Sequence, residues 1–310
     1  MKESGIFPVI LDAGDLLFTV PMLNDSNRNS EILRASAILN EMMAHPFDAI
    51  NVGRRELAGG VTLLRDLAKQ TKSTFISANL RDMRNHQLLF DPFKIIKRNG
   101  LVIGVIGLSN MFPESNGDIY ADDYLVAGDF YIQEIKEKVD VIIVLVNSEQ
   151  STYPNLTGMF PQSNFILTSG STMLTRPMMN QLEEGPFLFS SGREGRYLNR
   201  IDISMVSDQR NLVNRSYYES KIKYFNRRIN RYQDKDTTQS LDQLYKDQPN
   251  VLGAIESNRK DIKRMQGVLR NAVNTIDFKN VSMDKLIQDD PKVLDQVNKT
   301  IGRCAELIVR

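Results

Sequence analysis

The sequence has few of the residues that mark a disulfide scaffold, a cysteine-rich metal site or a membrane anchor. Its 310 residues include one cysteine, Cys304, which excludes an intramolecular disulfide and a zinc site built from several cysteines. Its longest apolar runs, such as residues 139–146, are broken by Asp140 and are far shorter than the about 20 residues of a membrane-spanning helix. We therefore expect no membrane span.

The chain also lacks an excess of one charge, because 39 Lys and Arg nearly balance 38 Asp and Glu. With 41% hydrophobic residues, this is the profile of an ordinary globular protein long enough for two domains. Residues 215–310 carry 19 basic and 13 acidic residues, which leaves 20 against 25 for residues 1–214. Since acidic residues are interspersed in the basic half, this balance favours a solvated helical surface, and we expect no nucleic-acid partner.

An export signal is not recognisable either. Residues 1–11 have no basic segment followed by the apolar core of a signal peptide. The residues as given therefore predict no leader.

What is present in residues 1–214 is an alternation of short apolar runs with helical patterns. Runs of this kind, bounded by Gly, Asn and Asp, are typical of buried strands, and they occur at residues 8–11, 48–52, 73–78, 100–108, 140–146, 164–168, 187–190 and 197–204. Residues 30–43 and 61–71 have the length and apolar spacing of helices. The pattern predicts an α/β domain with layers of helix and sheet.

Residues 215–310 have a different period. Apolar residues recur at steps of three and four from Tyr218 to Tyr232, and at steps of seven through Ile255, Ile262, Leu269 and Ile276. Another helix is predicted after Asp290-Pro291, a favourable cap and first-turn pair. The pattern predicts an all-α, coiled-coil-like domain of three helices, either a self-contained bundle or a docking and oligomerisation surface.

A series of motifs in residues 1–214 indicates a family. Gly14-Asp15 follows a strand, Gly53-Arg54-Arg55-Glu56 follows the next, and the runs Ser-Ala-Asn-Leu (77–80) and Gly-x-x-Gly-x-Tyr-Leu (192–198) come later. In this order and spacing the segment resembles the calcineurin-like metallophosphoesterases, most closely the catalytic domain of the bacterial 5′-nucleotidases. The resemblance implies a layered α/β/β/α sandwich.

The same resemblance implies two metal ions, Mn, Fe or Zn, bound by an Asp-x-His motif, the Gly-Asp motif, a Gly-Asn-His-Glu motif, a later His and a Gly-His-x-His motif. Such paired metals polarise a phosphoryl group and generate hydroxide. The positions that match these motifs here are Asp15, Arg54, Arg55, Glu56, Ser148, Gly170 and Thr172. Only Asp15 and Glu56 retain the type of residue that the family uses.

The two histidines of the chain, His45 and His86, lie in turn and polar segments, and we expect both to be exposed loop residues. Guanidinium groups do not lose their charge at ordinary pH, so Arg54 and Arg55 stand where cations would bind. One hypothesis is that either arginine pairs with Asp15 in place of a metal. The alternative is that both point into solvent, where ion pairs contribute little.

The family places its Asp-x-His strand about 30 residues before the Gly-Asp motif, which lies upstream of Met1. We expect the natural gene product to be longer, because loss of a central strand would expose hydrogen-bonding edges. The resemblance also implies a periplasmic or extracellular location.

The sequence therefore favours a catalytically inactive metallophosphoesterase-like protein without a metal cofactor, acting as a structural or protein-binding subunit through its helical tail. One alternative is an active metal-dependent phosphoesterase or nucleotidase with a rearranged site that uses Asp15 and Glu56. Another is an assembly protein in which the coiled-coil-like helices drive self-association.

Overall fold

The computed structural model describes residues 7–112, 117–179, 181, 185–207 and 211–307. These residues form two compact units. The first comprises the described parts of Met1–Leu174, Gly185–Tyr197 and Ser282–Arg310, and the second those of Thr175–Glu184 and Leu198–Val281.

The first unit carries the strands and helices of the layered domain. In chain order they are β1 (Leu11–Asp12), α1 (Arg28–Glu41), β2 (Ala49–Asn51), α2 (Val61–Lys69), β3 (Phe75–Ile76), β4 (Leu80–Asp82), β5 (Phe93–Arg98), β6 (Leu101–Ser109), β7 (Ile119–Ala121), α3 (Tyr124–Ile135), β8 (Val141–Asn147), α4 (Tyr153–Met159), β9 (Phe165–Ser169) and β10 (Phe187–Ser190). Short 3-10 turns at Met42–Ala44 and Gln150–Thr152 complete the described helical segments of this stretch.

Two sheets form the middle of this unit. One is the parallel sheet β1-β2-β3, and the other has the order β10-β9-β8-β6-β5, in which β5 alone is antiparallel to its neighbour. The first sheet packs with α1 and α2 around residues such as Leu39, Ile50 and Leu64. The second packs with α3 and α4 around Ile132 and Leu156. The predicted α/β/β/α layering is confirmed.

The two sheets approach each other closely at Gly107 of β6. A Cβ atom at this position would lie 2.7 Å from Asn51 Oδ1 and 2.8 Å from Ile76 Cγ1. Gly107 is therefore required by the contact between β6 and the ends of β2 and β3.

The second unit combines a sheet with helices. Its elements are β11 (Tyr197–Ser204), β12 (Leu212–Asn214), α5 (Arg215–Gln233), α6 (Leu241–Leu244), α7 (Pro249–Asn271) and β13 (Asn274–Ser282). The sheet has the order β11-β13-β12. Helices α5 and α7 pack together, and Leu241, Tyr245 and Ile255 form a small core that Ile229 and Tyr232 cover.

The prediction of an all-helical tail is wrong at β13. Asn274, Ile276 and Phe278 are buried and alternate with less buried residues, which is the period of a strand. Ile276 therefore lies on a strand, and the predicted coiled-coil-like heptad pattern ends with α7. The coiled-coil character of the tail is not confirmed.

The last helix, α8 (Pro291–Glu306), lies in the first unit and packs against α1. Asp290 caps its first turn, as predicted, by accepting hydrogen bonds from the N–H groups of Lys292 and Val293. The side chain of Cys304 is buried, and its Sγ lies 3.3 Å from the carbonyl oxygen of Ser30. The boundaries of the two compact units therefore do not coincide with the predicted domain boundary at residue 214. That boundary concerned domains that fold separately, and it stays a prediction.

Among the helices in the described ranges, none has the length and apolar character needed to cross a membrane.

Candidate functional site

Polar side chains collect where the parallel strands of both sheets end. Strand β2 ends at Asn51, and the register of the second sheet places Asn147 of β8 opposite both Ser109 of β6 and Ser169 of β9. Ligand sites in α/β sheets lie outside the carboxyl ends of the strands. This edge is therefore the candidate site, and the loops that follow the strands bring most of the sequence-predicted positions to it.

The Gly-Asp loop and the loop after β2 are in close contact. A Cβ atom at Gly14 would lie 3.0 Å from the Cα of Gly53, and Gly14 has a φ of +107°. The next residue, Asp15, has a φ of 69°, in the left-handed region that non-glycine residues seldom adopt. Its Oδ1 accepts the backbone N–H of Arg55 at 2.9 Å.

Glu56 is the buried centre of these two loops. One of its carboxylate oxygens accepts the backbone N–H groups of Asp15 (2.7 Å) and Gly53 (2.9 Å), and the other accepts those of Leu16 (2.6 Å) and Leu17 (3.1 Å). Burial raises the pKa of Glu56 and the negative charge of Asp15 raises it further, while the N–H donors oppose the rise. Both oxygens are occupied by the backbone, so Glu56 holds the loops in shape.

Arg54 and Arg55 contact the other residues of the site with their backbone N–H groups. The N–H of Arg54 donates to Asn147 Oδ1 at 3.0 Å. No guanidinium–carboxylate pair with Asp15 occurs in the described part of the chain, so the hypothesis that an arginine replaces the metal by pairing with Asp15 is not supported. Arg55 is exposed, as the alternative predicts, whereas Arg54 is half-buried and its buried Nε atom has no hydrogen-bond acceptor.

A second carboxylate, Asp12, lies at the end of β1, and the sequence analysis did not single it out. Its Oδ1 accepts the N–H of Gly14 at 2.8 Å. Burial, followed by the negative charge of Glu56, raises the pKa of Asp12 to about 7. The signal in the sequence was the motif Asp-Ala-Gly-Asp, which places two carboxylates on one loop.

The ends of β8 and β9 are tied together by neutral groups. Asn147 Nδ2 donates to Ser169 Oγ at 2.8 Å, and Ser169 Oγ donates to the carbonyl of Ala13 at 2.7 Å. Ser148, the position of the family's later His, is buried, and its hydroxyl lies 2.8 Å from Thr152 Oγ1. These residues link the second sheet to the Gly-Asp loop without a metal ligand.

The last two predicted site positions, Gly170 and Thr172, have different surroundings. Gly170 has a φ of +88° and packs so closely on Ser148 that a Cβ would lie 2.7 Å from its carbonyl oxygen. Thr172, two residues on, is exposed. His45 and His86 are both exposed, which confirms the expectation for the histidines, and His86 Nδ1 lies 3.2 Å from Tyr120 Oη.

One structural link between strands was not predicted from the sequence. Asn79 of the Ser-Ala-Asn-Leu run is buried, and its amide donates to the carbonyls of Ser109 (2.8 Å) and Asp122 (3.1 Å) while its oxygen accepts the N–H of Ser109 (2.9 Å). An asparagine directly after an apolar run is the signal that could have indicated this role.

The donor set does not fit the two-metal centre that the resemblance implies. Within residues that the structure describes, no group of three or more His, Cys, Asp or Glu side chains is placed to hold a metal ion. Glu56 is occupied by four N–H groups, and Ser148, Gly170 and Thr172 supply no imidazole. The geometry organises the loops at this edge of the sheets, and we derive no step through a metal.

Sequence comparisons give relatives for about half of the chain. Protein UshA of Escherichia coli K12 is 30% identical over 143 residues, which are 44% of this chain and 25% of that protein. A 5′-nucleotidase of Vibrio cholerae is 24% identical over 164 residues, 50% of this chain and 28% of that protein. The matched segment thus spans about a quarter of these curated relatives' length. No protein-family model matches the chain.

Solved structures share the fold at low sequence identity. A calcineurin-like phosphoesterase, YfkN of Bacillus subtilis, aligns with a TM-score of 0.61 at 14% identity and covers 97% of this chain and 84% of its own. A 5′-nucleotidase precursor of Thermus thermophilus aligns with a TM-score of 0.53 at 18% identity, covering 66% of this chain and 43% of its own. The fold predicted from the motifs is confirmed.

Proposed function

We propose that this chain is not an enzyme and acts as a structural or protein-binding subunit. The premise is that it carries a domain of the calcineurin-like metallophosphoesterase and 5′-nucleotidase type. One observation carries the proposal. The glutamate of the motif, Glu56, is saturated by backbone N–H donors, and the two residues before it are Arg54 and Arg55, where the family supplies Asn and His.

The chemistry of these substitutions supports the proposal. Divalent metals of this kind are held by carboxylates and neutral imidazoles, and an imidazole beside them serves as the general acid. A guanidinium can do neither, because it has no free lone pair and keeps its charge. The loops nevertheless keep their fold through Glu56, Asn147 and Ser169. A retained scaffold with altered ligand positions is what a binding role requires.

A second candidate is a metal-dependent phosphoesterase with a rearranged site. The comparisons by themselves favour it, because several relatives carry the names 5′-nucleotidase or phosphoesterase. The sequence assigned this site to Asp15 and Glu56, but both oxygens of Glu56 accept backbone N–H groups. Asp15, with Asp12 three residues before it, would then hold Mn, Fe or Zn together with residues supplied from elsewhere. This candidate predicts turnover that depends on Asp15.

Hydrolysis of a generic aryl phosphate with added Mn²⁺ distinguishes the two candidates. The variants are Asp15→Asn and, as a matched control, Asp25→Asn at an exposed position. We expect no hydrolysis above buffer for the wild type or either variant. Turnover that is lost in Asp15→Asn and kept in Asp25→Asn would establish the phosphoesterase, and equal turnover in all three would identify a contaminating phosphatase.

Self-assembly remains a third candidate, and the measured mass in solution against the 35.3 kDa chain tests it. A monomer would remove it. In the proposed structural or protein-binding role, the helical tail provides the contact surface. We also propose a periplasmic or extracellular location, which the family resemblance implies.

A further inference from the structure

Helix α5 of the second unit carries a strongly basic solvent face. Six of its 19 residues are Lys or Arg, and Glu219 is its one acidic residue. Lys223, Arg227 and Arg231 follow one another at steps of four residues and are all exposed. At 1.5 Å of rise per residue, their Cα atoms are spaced at about 6 Å along the helix axis.

The cations lie opposite the packed side of the helix. Tyr218 is buried, and Ile229 and Tyr232 pack on the small core of Leu241, Tyr245 and Ile255. At 100° per residue, Arg227 projects about 160° away from the direction of Ile229. The basic stripe therefore faces solvent, and none of its three members forms an ion pair within the described ranges.

Neighbouring α7 carries a smaller excess of positive charge than α5. It carries five basic residues, but Glu256 and Asp261 accompany them, and Arg259 pairs with both Asp242 and Glu256. The expectation of no nucleic-acid partner was drawn from charge averaged over residues 215–310. Helix α5, with six basic residues against one acidic, thus has a larger excess of positive charge than α7, with five against two.

Aromatic rings accompany the cations. Tyr224 is 43% exposed beside the stripe, and the guanidinium of Arg228 lies 5.8 Å from the centroid of its ring. Lys221 lies 5.5 Å from the centroid of the Tyr217 ring. A cationic track beside an exposed aromatic ring, here that of Tyr224, is the combination that binds single-stranded nucleic acids, through phosphates and base stacking.

We propose that the stripe of Lys223, Arg227 and Arg231, together with Tyr224, binds the backbone and bases of a single-stranded nucleic acid. An anionic membrane is the less suitable polyanion, because a helix that lies in a bilayer surface must bury a free apolar face. The apolar face of α5 is already packed inside the second unit. This proposal does not depend on the metal content of the first unit.

The test is fluorescence anisotropy of a labelled 20-nucleotide oligo(dT) with the full chain over a salt series. We expect binding that weakens with salt, with a slope of log K against log salt of about −2 for three phosphate contacts. The triple variant Lys223→Glu, Arg227→Glu and Arg231→Glu should bind at least tenfold more weakly and lose most of that slope. Circular dichroism melts confirm that the variants fold.

A charge-matched control makes the site assignment specific. The triple Arg28→Glu, Lys97→Glu and Lys138→Glu changes three exposed cations of the first unit by the same total charge, and it should bind oligo(dT) within about twofold of the wild type. Tyr224→Ala should weaken binding several-fold without changing the salt slope, because stacking is not ionic.

Three outcomes would overturn the proposal. One is the absence of oligo(dT) binding at low salt, and another is an equal loss in the two triple variants, which would mean that net charge alone acts. The third is binding to vesicles of phosphatidylserine and phosphatidylcholine with none to oligo(dT), which would assign the stripe to a membrane surface.

Discussion

At the scale of single residues, the loops of the candidate site are held by a few buried polar atoms. Glu56 accepts four backbone hydrogen bonds, and the motif placed it correctly in the sequence. Its partners could not be predicted, because three of the four N–H groups lie about 40 residues away in sequence and reach Glu56 only in the folded chain.

Glu56→Ala should destabilise the first unit. Removing the carboxylate leaves four N–H groups without their acceptor, and unsatisfied buried groups cost about 1–3 kcal/mol each before relaxation. We expect a loss of about 3 kcal/mol or more, measured by urea unfolding. The exposed Glu137→Ala is the matched control and should change the unfolding free energy by about 0.5 kcal/mol at most. Similar values for the two variants would contradict this role.

Arg54→Met should stabilise the first unit, in contrast to Glu56→Ala. The buried Nε of Arg54 has no acceptor, so a side chain that keeps the apolar stem and removes the polar atom should raise the unfolding free energy by about 1 kcal/mol. Thermal melts compare it with Arg55→Met at the exposed neighbouring position, where little change is expected. Destabilisation by Arg54→Met would mean that the guanidinium has a partner in solution.

Asp12 should make stability depend on pH. Its pKa is about 7 in the folded chain against 3.8 as an ordinary aspartate. Between these values the folded state keeps the proton and the unfolded state releases it, so the unfolding free energy falls as pH rises and levels off above about pH 7, with a slope of about 1.4 kcal/mol per unit. Asp12→Asn should flatten this profile, whereas Asp25→Asn should not. Parallel urea profiles for wild type and Asp12→Asn would refute the assignment.

At the scale of elements, the continuous apolar runs predicted the buried strands well. Runs such as Val141–Asn147 are buried along their whole length. They can therefore be recognised from the sequence of the run itself, without knowing which strands lie beside it. Several elements were not predicted, among them β5, β7 and α4, and for two others, α3 and β13, the physical reason is clear. Helix α3 carries apolar residues on several sides and shows no clear helical period, and the alternation of β13 was masked by the heptad spacing that ends at Ile276.

Helix α8 is an element that the sequence predicted and whose packing partner it did not indicate. Its cap was predicted, but its packing on α1 joins residues such as Ser30 and Cys304, which are too far apart in sequence for a local pattern to connect. Asp290→Ala should destabilise α8 by about 1 kcal/mol, and because a helix forms cooperatively the loss should also be felt in its last turn, where Cys304 lies. Since Cys304 is the sole cysteine and is buried, its reaction with a thiol reagent should quicken severalfold.

Asp295→Ala is the control for this prediction. Asp295 lies on the exposed side of α8 and pairs with Lys299 at 2.6 Å, an interaction worth about 0.3–0.5 kcal/mol in a helix. It should leave the rate at Cys304 nearly unchanged. Fast reaction of Cys304 in the wild type would contradict the packing of α8 on α1.

At the scale of the whole molecule, the motifs predicted the layered fold, which is confirmed, and they indicated the carboxyl edge of the sheets as the candidate site. The network that closes this edge spans the first unit, since Ser169 bonds Ala13 across 156 residues, and no local pattern encodes such a link. The charge balance of residues 215–310 likewise does not show the basic stripe of α5, because the stripe becomes visible only when residues four apart are placed on one helix face.

The central claim is that this phosphoesterase fold holds no catalytic metal pair. Inductively coupled plasma mass spectrometry of the purified protein, after equilibration with Mn²⁺, Fe²⁺ or Zn²⁺ and removal of free metal, measures it directly. We predict well under one equivalent per chain, unchanged in Asp15→Asn. About two equivalents that fall in Asp15→Asn would contradict the account and assign the chain to the active metal-dependent phosphoesterases.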